Sequence, residues 1–439
     1  MTVLALFTRD LRLQDTSLLR DGEAIIPAFI VDTDLAHAHN NPFAQAFMID
    51  SLRDLDKSLQ QHHTHLAITH GTFASALTSL ILRHKPNTLR MARDITPYAK
   101  KREQLAADIC AREKITLELV DSHWLLPFDA TVKNNSEPYT VFTPFFKHAS
   151  KLDVPAIATP AKLIFAKLSK SELPNLDAPH IETQRGGRGE AQKILKNLHD
   201  YESYEHERDF PSLNRTTHLS AHLHWGTVSV REAHAAIAEQ LSPHHPLIRQ
   251  LWWREFFGSI AYHHPHVWQH NFKRAYDALE WQDNDELLQA WQQGTTGFPI
   301  IDAAMRCLNK TGMMHNRLRM IVASFLVKDL SINWREGEKY FAEKLVDYDK
   351  VINNGNWQWA AGTGADAAPY FRVFNPWLQQ AKFDNGAAFI KKWVPELARI
   401  EVKIIHDPTA ERPNYPKPIV DHAEAKELAL AMFAQALRK

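Results

Sequence analysis

Asn353-Asn354-Gly355-Asn356-Trp357-Gln358-Trp359-Ala360 crowds indoles, carboxamides and a glycine into one short run, just after the acidic pair Asp347 and Asp349. Indoles stack on flat rings or give up an electron, carboxamides read hydrogen-bonding edges, and glycine lets backbone approach a ligand. Aliphatic side chains would fill a core without polar atoms to satisfy. The mixture therefore points to a ligand; the plainer alternative is a loop whose tryptophans pack under a helix.

A second group lies within His315–Leu330, which reads as a helix. Asn316, Arg319 and Met320 stand at i, i+3 and i+4 and share a face, while Leu318, Val322, Phe325 and Leu326 supply apolar area elsewhere. So aliphatic a helix is expected to be buried, and a buried arginine requires a partner, which Asp347 or Asp349 could provide. The pair would either tie two helices together or form the polar floor of a cavity for a flat ligand of mixed polarity. Thr216-Thr217-His218-Leu219-Ser220 is the third group. Its hydroxyls could cap a helix or, with the helix N–H groups, hold a phosphate.

The elements that must carry these groups divide the chain. Strands are expected at Val3–Phe7, Ile25–Val31, Leu66–Thr69, Thr88–Arg93 and Thr116–Val120, with helices at Ala44–Gln60, Phe73–His84 and Tyr98–Arg112. Such alternation predicts a parallel sheet covered on both faces. No G-x-G-x-x-G or G-x-x-x-x-G-K phosphate loop is present. From about Trp124 to Lys196 periodicity weakens and proline accumulates, as in Val154-Pro155-Ala156-Ile157-Ala158-Thr159-Pro160, which reads as a long connector. Helical spacing then dominates at Val228–Leu241, Pro246–Tyr262, Ile300–Leu308, His315–Leu330, Gly337–Leu345 and Asp421–Arg438.

The 439 residues suggest two domains, and 51 basic against 51 acidic side chains argue against a general coating of nucleic acid, leaving room for a local basic patch. Two cysteines, Cys110 and Cys307, exclude a disulfide framework or a cysteine-rich metal site. No HExxH occurs, and pairs such as His62-His63 and His263-His264 read as solvated surface, so no metal is expected. Charge appears too early for a signal peptide and no apolar run spans a bilayer; a cytoplasmic protein without membrane contact is the expectation.

Long motifs in order make the chain similar to the photolyase/cryptochrome family, closest to class I-type cyclobutane pyrimidine dimer photolyases. They are Phe7-Thr8-Arg9-Asp10-Leu11-Arg12, Tyr139-Thr140-Val141-Phe142-Thr143-Pro144-Phe145-Phe146-Lys147, Trp253-Arg254-Glu255-Phe256-Phe257, Met314-His315-Asn316-Arg317-Leu318-Arg319-Met320 and the Asn353–Ala360 run. The resemblance implies an α/β plus all-α fold. A Rossmann-like antenna domain would occupy 1–125, a linker 126–196 and a helical FAD-binding domain 197–439.

It also implies roles. FAD contacts would be Tyr204, Thr216, Thr217, His218, Leu219, Ser220, Gln250, Arg254, Asn316, Arg319, Asp347, Asp349 and Asn353. The hydroxyl cluster would take the diphosphate, and Asn353 would face the flavin N5. Trp357, Trp334 and Trp281 match an electron relay. For a dimer flipped out of UV-damaged DNA, Trp253 and Trp359 would be stacking walls, with Gln250, Asn316 and Met320 beside the lesion. Arg208, Arg317 and Gln379 fall at DNA-contact positions. The family suggests a monomer that repairs by light-driven electron transfer; a blue-light receptor without repair is the alternative.

Three departures stand out. Gln250 replaces the glutamate usual in dimer repair and matches (6-4) photolyases and animal cryptochromes. Asn316 and Met320, however, occupy the positions of the histidine pair that (6-4) chemistry needs. Met313 stands where tryptophan is frequent, a packing change. Arg93-Asp94-Ile95-Thr96-Pro97-Tyr98-Ala99-Lys100-Lys101-Arg102 lacks the Asn-Glu pair used for folate in some relatives and resembles the deazaflavin-type pattern, although His37-Ala38-His39-Asn40-Asn41 is short. A deazaflavin, another flavin or no second chromophore all remain compatible.

Overall fold

The computed structural model describes residues 1–38, 40–158, 160, 162–170, 184–367 and 369–438. His39, Thr159 of the proline-rich run and residues 171–183 of the expected connector lie outside them. The chain forms two compact units: Met1–Tyr139, Thr143–Asp200 and Thr217–Tyr262 make one, and Thr140–Phe142, Tyr201–Thr216 and His263–Lys439 the other.

The first unit is built on a six-stranded sheet with the order β3-β2-β1-β4-β5 and β6 also paired to β2. Its strands are β1 (Thr2–Phe7), β2 (Ala24–Asp32), β3 (Ala67–Gly71), β4 (Thr88–Ala92), β5 (Thr116–Val120) and β6 (Ile164–Phe165). Every pairing is parallel. Alternate residues of β1 enter opposite cores. Leu4 and Leu6 join Ala76, Leu77 and Leu80 of helix Phe73–His84. Ala5 and Phe7 join Leu52, Leu55 and Leu59 of helix Pro42–Gln60. A strand apolar on both sides can sit only between two helical layers. Asn41, last residue of the short segment noted above, caps Pro42–Gln60 by accepting from the Ala44 N–H at 2.9 Å.

Sixth strand β6 and helix Phe142–Ala149 lie where only a connector was expected. β6 has no periodicity to reveal it, because two residues gain a strand only from the β2 edge they meet. The unit also contains helix Pro246–His263 as far as Tyr262.

The second unit is helical around one large core, to which Trp291, Phe325, Trp334, Phe341 and Trp357 belong. Two expectations need correction here. The run Asn353–Ala360 is not a loop but lies within helix Lys350–Ala361, started by the Asp349 cap and ended by Gly362 at φ 86°. The helix expected over His315–Leu330 is α-helical only at Asn316–Ser324, and Phe325–Asp329 is a π-helical turn, closed by the Leu330 N–H on the Phe325 carbonyl at 3.1 Å. Hydrophobic spacing does not register that one-residue widening. His263 and His264 are half-buried rather than solvated, with His264 edge-on to Phe272 at 5.1 Å.

The wide turn buries Lys328, 2 % exposed, with its Nζ 3.1 Å from the Phe433 ring centroid and no hydrogen-bond partner among the described residues. Burial brings its amine down to about 6. Between that value and the ordinary amine value near 10.5 the unfolded chain binds the extra proton, so this group's penalty shrinks as pH rises. Lys328→Met is therefore expected to stabilise the protein by about 5 kcal/mol at pH 7 and about 2 kcal/mol at pH 9. Urea unfolding at both pH values measures it; an equal or larger gain at pH 9 would contradict a neutral buried amine.

Candidate functional site

Helix Asn316–Ser324 begins under a histidine cap, with His315 Nδ1 accepting from the Arg317 N–H at 3.1 Å. Its polar face forms as the spacing requires: Asn316 is exposed and its Nδ2 lies 3.9 Å from Met320 Sδ. Arg319 donates from Nε to the Met314 carbonyl at 2.8 Å and from Nη2 to both Asp347 oxygens at 2.9 and 3.0 Å. Of the two carboxylates offered by the sequence, Asp347 is the partner. Asp349 instead accepts the Val351 and Ile352 N–H groups at 2.9 and 3.3 Å. The Arg319 side chain is 30 % exposed against 7 % for Asp347, so the arginine is half-buried, not buried as its helix suggested.

Packed against that helix, Lys350–Ala361 brings Asn353 alongside. Asn353 donates from Nδ2 to the Glu338 carbonyl at 3.0 Å. Since a carbonyl can only accept, this contact sets the amide's orientation and leaves Oδ1 as the acceptor for a ligand. A guanidinium, a carboxamide oxygen and an exposed carboxamide thus sit on two neighbouring helices. That donor and acceptor set fits the edge of a flavin ring, which offers an N–H at N5 when reduced.

The three tryptophans of the expected relay differ in surroundings. Trp357, 2 % exposed, lies edge-on to Phe341 at 5.0 Å and to Trp291 at 6.2 Å. A Cβ on Gly337 would fall 2.1 Å from its Cη2, so only glycine lets the neighbouring helix come this close. The Trp357 Nε1 is buried with no hydrogen-bond partner among the described residues. Trp334, 1 % exposed, donates its Nε1 proton to Asn271 Oδ1 at 2.9 Å. Trp281 is half-buried and meets Phe433 edge-on at 6.1 Å. Sequence reading missed Asn271, Glu338 and Trp291: each acts on a partner far along the chain, and no local pattern marks it.

Elsewhere in this unit Trp359 is half-buried, as are Thr216 and Gln379. Tyr204 is buried, and burial raises its hydroxyl, with the Arg208 guanidinium 5.8 Å from its ring centre. Arg317 is engaged on two sides, by Asp209 at 2.9 Å and by the Phe383 ring at 4.3 Å.

The other site residues belong to the first unit. Trp253 lies 5.7 and 5.6 Å from the rings of Phe256 and Phe257, and Gln250 is half-buried one turn earlier on the same helix. Arg254 stacks on Trp124 at 4.3 Å and pairs with Glu255 at 3.0 Å. Burial lifts Glu255 to about 7 despite Arg254. In the Thr217–Ser220 cluster the expected hydroxyl cap is not formed. Helix Leu219–Trp225 begins after His218, which is left-handed at φ 53° and has no side-chain cap bond, and Thr217 Oγ1 accepts from the Leu219 N–H at 3.4 Å.

The DNA photolyase family model matches residues 3–161, and that of the FAD binding domain of DNA photolyase matches residues 247–435. A deoxyribodipyrimidine photo-lyase of Escherichia coli strain K12 is 36 % identical, across 100 % of this chain and 99 % of its own. An archaeal photolyase from Sulfolobus tokodaii, solved with two FAD molecules, superposes with a TM-score of 0.89 at 36 % identity, covering 99 % of this chain and 100 % of that one. A Synechocystis cryptochrome superposes with a TM-score of 0.89 at 27 % identity, covering 98 % and 99 %. Among the described residues no helix is long and apolar enough to cross a membrane. With sheet, helical core and both family domains in place, the chain belongs to the photolyase/cryptochrome family.

Proposed function

We propose that this protein is a light-driven lyase that splits cyclobutane pyrimidine dimers in UV-damaged DNA. The observation that carries the choice of lesion is the Asn316–Met320 face, an exposed carboxamide 3.9 Å from a thioether sulfur. A carboxamide reads a pyrimidine edge and methionine supplies a soft apolar contact, whereas (6-4) repair needs an imidazole acid there. Bound FAD, when excited, supplies the one-electron chemistry.

The chain's own residues then hold and orient. Arg319, fastened by Asp347, offsets negative charge at the ring, and the Asn353 Oδ1 accepts from its N5 edge. Asp349 sets the start of the helix that presents Asn353. Tyr204, Thr216, Thr217, His218, Leu219 and Ser220 are assigned to the rest of the cofactor, with Gln250 and Arg254. Trp253 and Trp359 serve as stacking walls, while Arg208, Arg317 and Gln379 face the DNA backbone. Trp357, Trp334 and Trp281 pass electrons inward. The proposed division is antenna domain 1–125, linker 126–196 and FAD-binding domain 197–439, acting as a monomer, with a deazaflavin, a flavin or no second chromophore in the antenna domain.

A decisive test photoreduces the purified protein without oxygen, adds an oligonucleotide carrying one thymine dimer, illuminates with blue light and quantifies restored thymines. Absence of restoration from fully reduced protein sinks the repair reading. It would promote the second one, a blue-light receptor, which Gln250 and the cryptochrome likeness favour. In the same assay Gln250→Glu is expected to raise the repair yield about twofold or more, because a carboxyl can share a proton with the reacting pyrimidine. An unchanged yield would mean the amide suffices.

A further inference from the structure

The two inner indoles of the relay are equally buried but not equally served. Trp357 Nε1 has no acceptor among the described residues, whereas Trp334 donates to Asn271 Oδ1 at 2.9 Å. Asn271 cannot turn its amide over. Its Nδ2 and backbone N–H both donate to Asp277 Oδ1, at 2.9 and 2.8 Å, and a carboxylate only accepts. Asp277 is braced in turn by Arg274 at 2.8 Å and His270 at 3.1 Å. Partial burial pushes its carboxyl up, but the Asn271 hydrogen bonds and Arg274 bring it below the ordinary range, so it is ionised at neutral pH.

We propose that Asn271 is a positioning residue for the electron relay, making Trp334 easier to oxidise than Trp357 and so driving the positive charge outward. This rests on the relay reading of Trp357, Trp334 and Trp281. Oxidation concentrates positive charge on an indole and makes its N–H a stronger donor, so an acceptor already in place stabilises the oxidised ring. The Asp277 carboxylate, drawing on the Asn271 amide protons, strengthens that acceptor cooperatively. Arg335, 4.4 Å over the Trp334 ring, acts in the opposite sense. It is half-buried and partly screened by water, while the Asn271 contact is 7 % exposed or less on both sides. The contact at bonding distance outweighs it.

In the step itself one electron passes from Trp334 to oxidised Trp357. Trp357 is restored, and Trp334 is left as a radical cation. The indole proton stays on Nε1, because an amide oxygen is too weak a base to take it. The first oxidant is the photoexcited flavin of the family reaction.

The test combines three variants with two readouts: transient absorption of tryptophan radicals in the FAD-loaded protein, and the Trp334 indole N–H shift by NMR in the dark. Asn271→Leu is expected to lower the yield of long-lived separated radical by about three- to tenfold, leaving the first oxidation of Trp357 at its native rate. Asp277→Asn, which keeps the acceptor but removes the charge behind it, should give a smaller loss of about twofold. Both should move the indole shift toward that of a non-hydrogen-bonded N–H. Native radical yield in Asn271→Leu overturns the proposal. If that variant does not fold, native yield in Asp277→Asn with a moved indole shift overturns it instead. Trp334→Phe separates the layers: native yield there refutes the relay reading itself, while a collapsed yield beside unaffected Asn271 and Asp277 variants refutes only the role of Asn271.

Discussion

Trp357→Phe is expected to slow light-driven reduction of the bound flavin by at least about a hundredfold, since a phenyl ring is far harder to oxidise and each 1.36 kcal/mol of barrier is a factor of ten. Repair by chemically pre-reduced protein should stay close to native, because the relay is then bypassed. The packing around Trp357 makes this a clean substitution. Phe341 and Trp291 meet the ring edge-on, and the buried Nε1 has no hydrogen-bond partner among the described residues, so phenylalanine keeps an apolar ring there and breaks no hydrogen bond. The smaller ring leaves a void against Gly337 costing about 1–2 kcal/mol, visible as a modest fall in melting temperature. Anaerobic photoreduction with an external thiol, set beside repair of a thymine-dimer oligonucleotide, checks both halves. Collapse of both together would make Trp357 a structural residue.

The second large effect is expected at Arg319. Arg319→Leu leaves the Asp347 carboxylate, whose side chain is 7 % exposed, without the guanidinium that donates to both its oxygens. Losing that guanidinium from a carboxylate so placed destabilises the fold by about 2–4 kcal/mol, the lower part of the range for buried pairs because Arg319 is half-exposed. If the arginine is also the floor of the flavin site, the FAD retained after gel filtration falls by about tenfold or more. Asp347→Asn should be milder on both counts, since an amide oxygen still accepts from Arg319. Lost stability with undiminished FAD affinity would reduce the pair to a tie between helices, one of the two readings that residue spacing left open.

Much of the scaffold was legible because its signals are local. β1, apolar at every position from Val3 to Phe7, had to be a strand covered on both faces, and it is. The i, i+3, i+4 spacing of Asn316, Arg319 and Met320 had to place them on one face, and Asn316 and Met320 meet there. The two-residue β6 and the π-helical turn at Phe325–Asp329 were not legible, because a neighbouring strand makes the one and a single-residue widening makes the other. At the Thr216–Ser220 cluster, where a hydroxyl cap was expected, a left-handed His218 precedes the helix instead, which composition does not disclose.

For the site the division is sharper. The order of motifs determined family membership, the inventory of indoles and carboxamides, and the absence of a histidine pair at Asn316 and Met320. Tertiary structure alone decided who serves whom. Asp347 and not Asp349 holds Arg319, Glu338 orients Asn353, and Asn271 accepts the Trp334 hydrogen bond across 63 residues of chain. Periodicity follows from the geometry of one element and can be read along the chain. The choice among chemically equivalent partners depends on how separate elements pack, and two aspartates or two buried indoles become different only there.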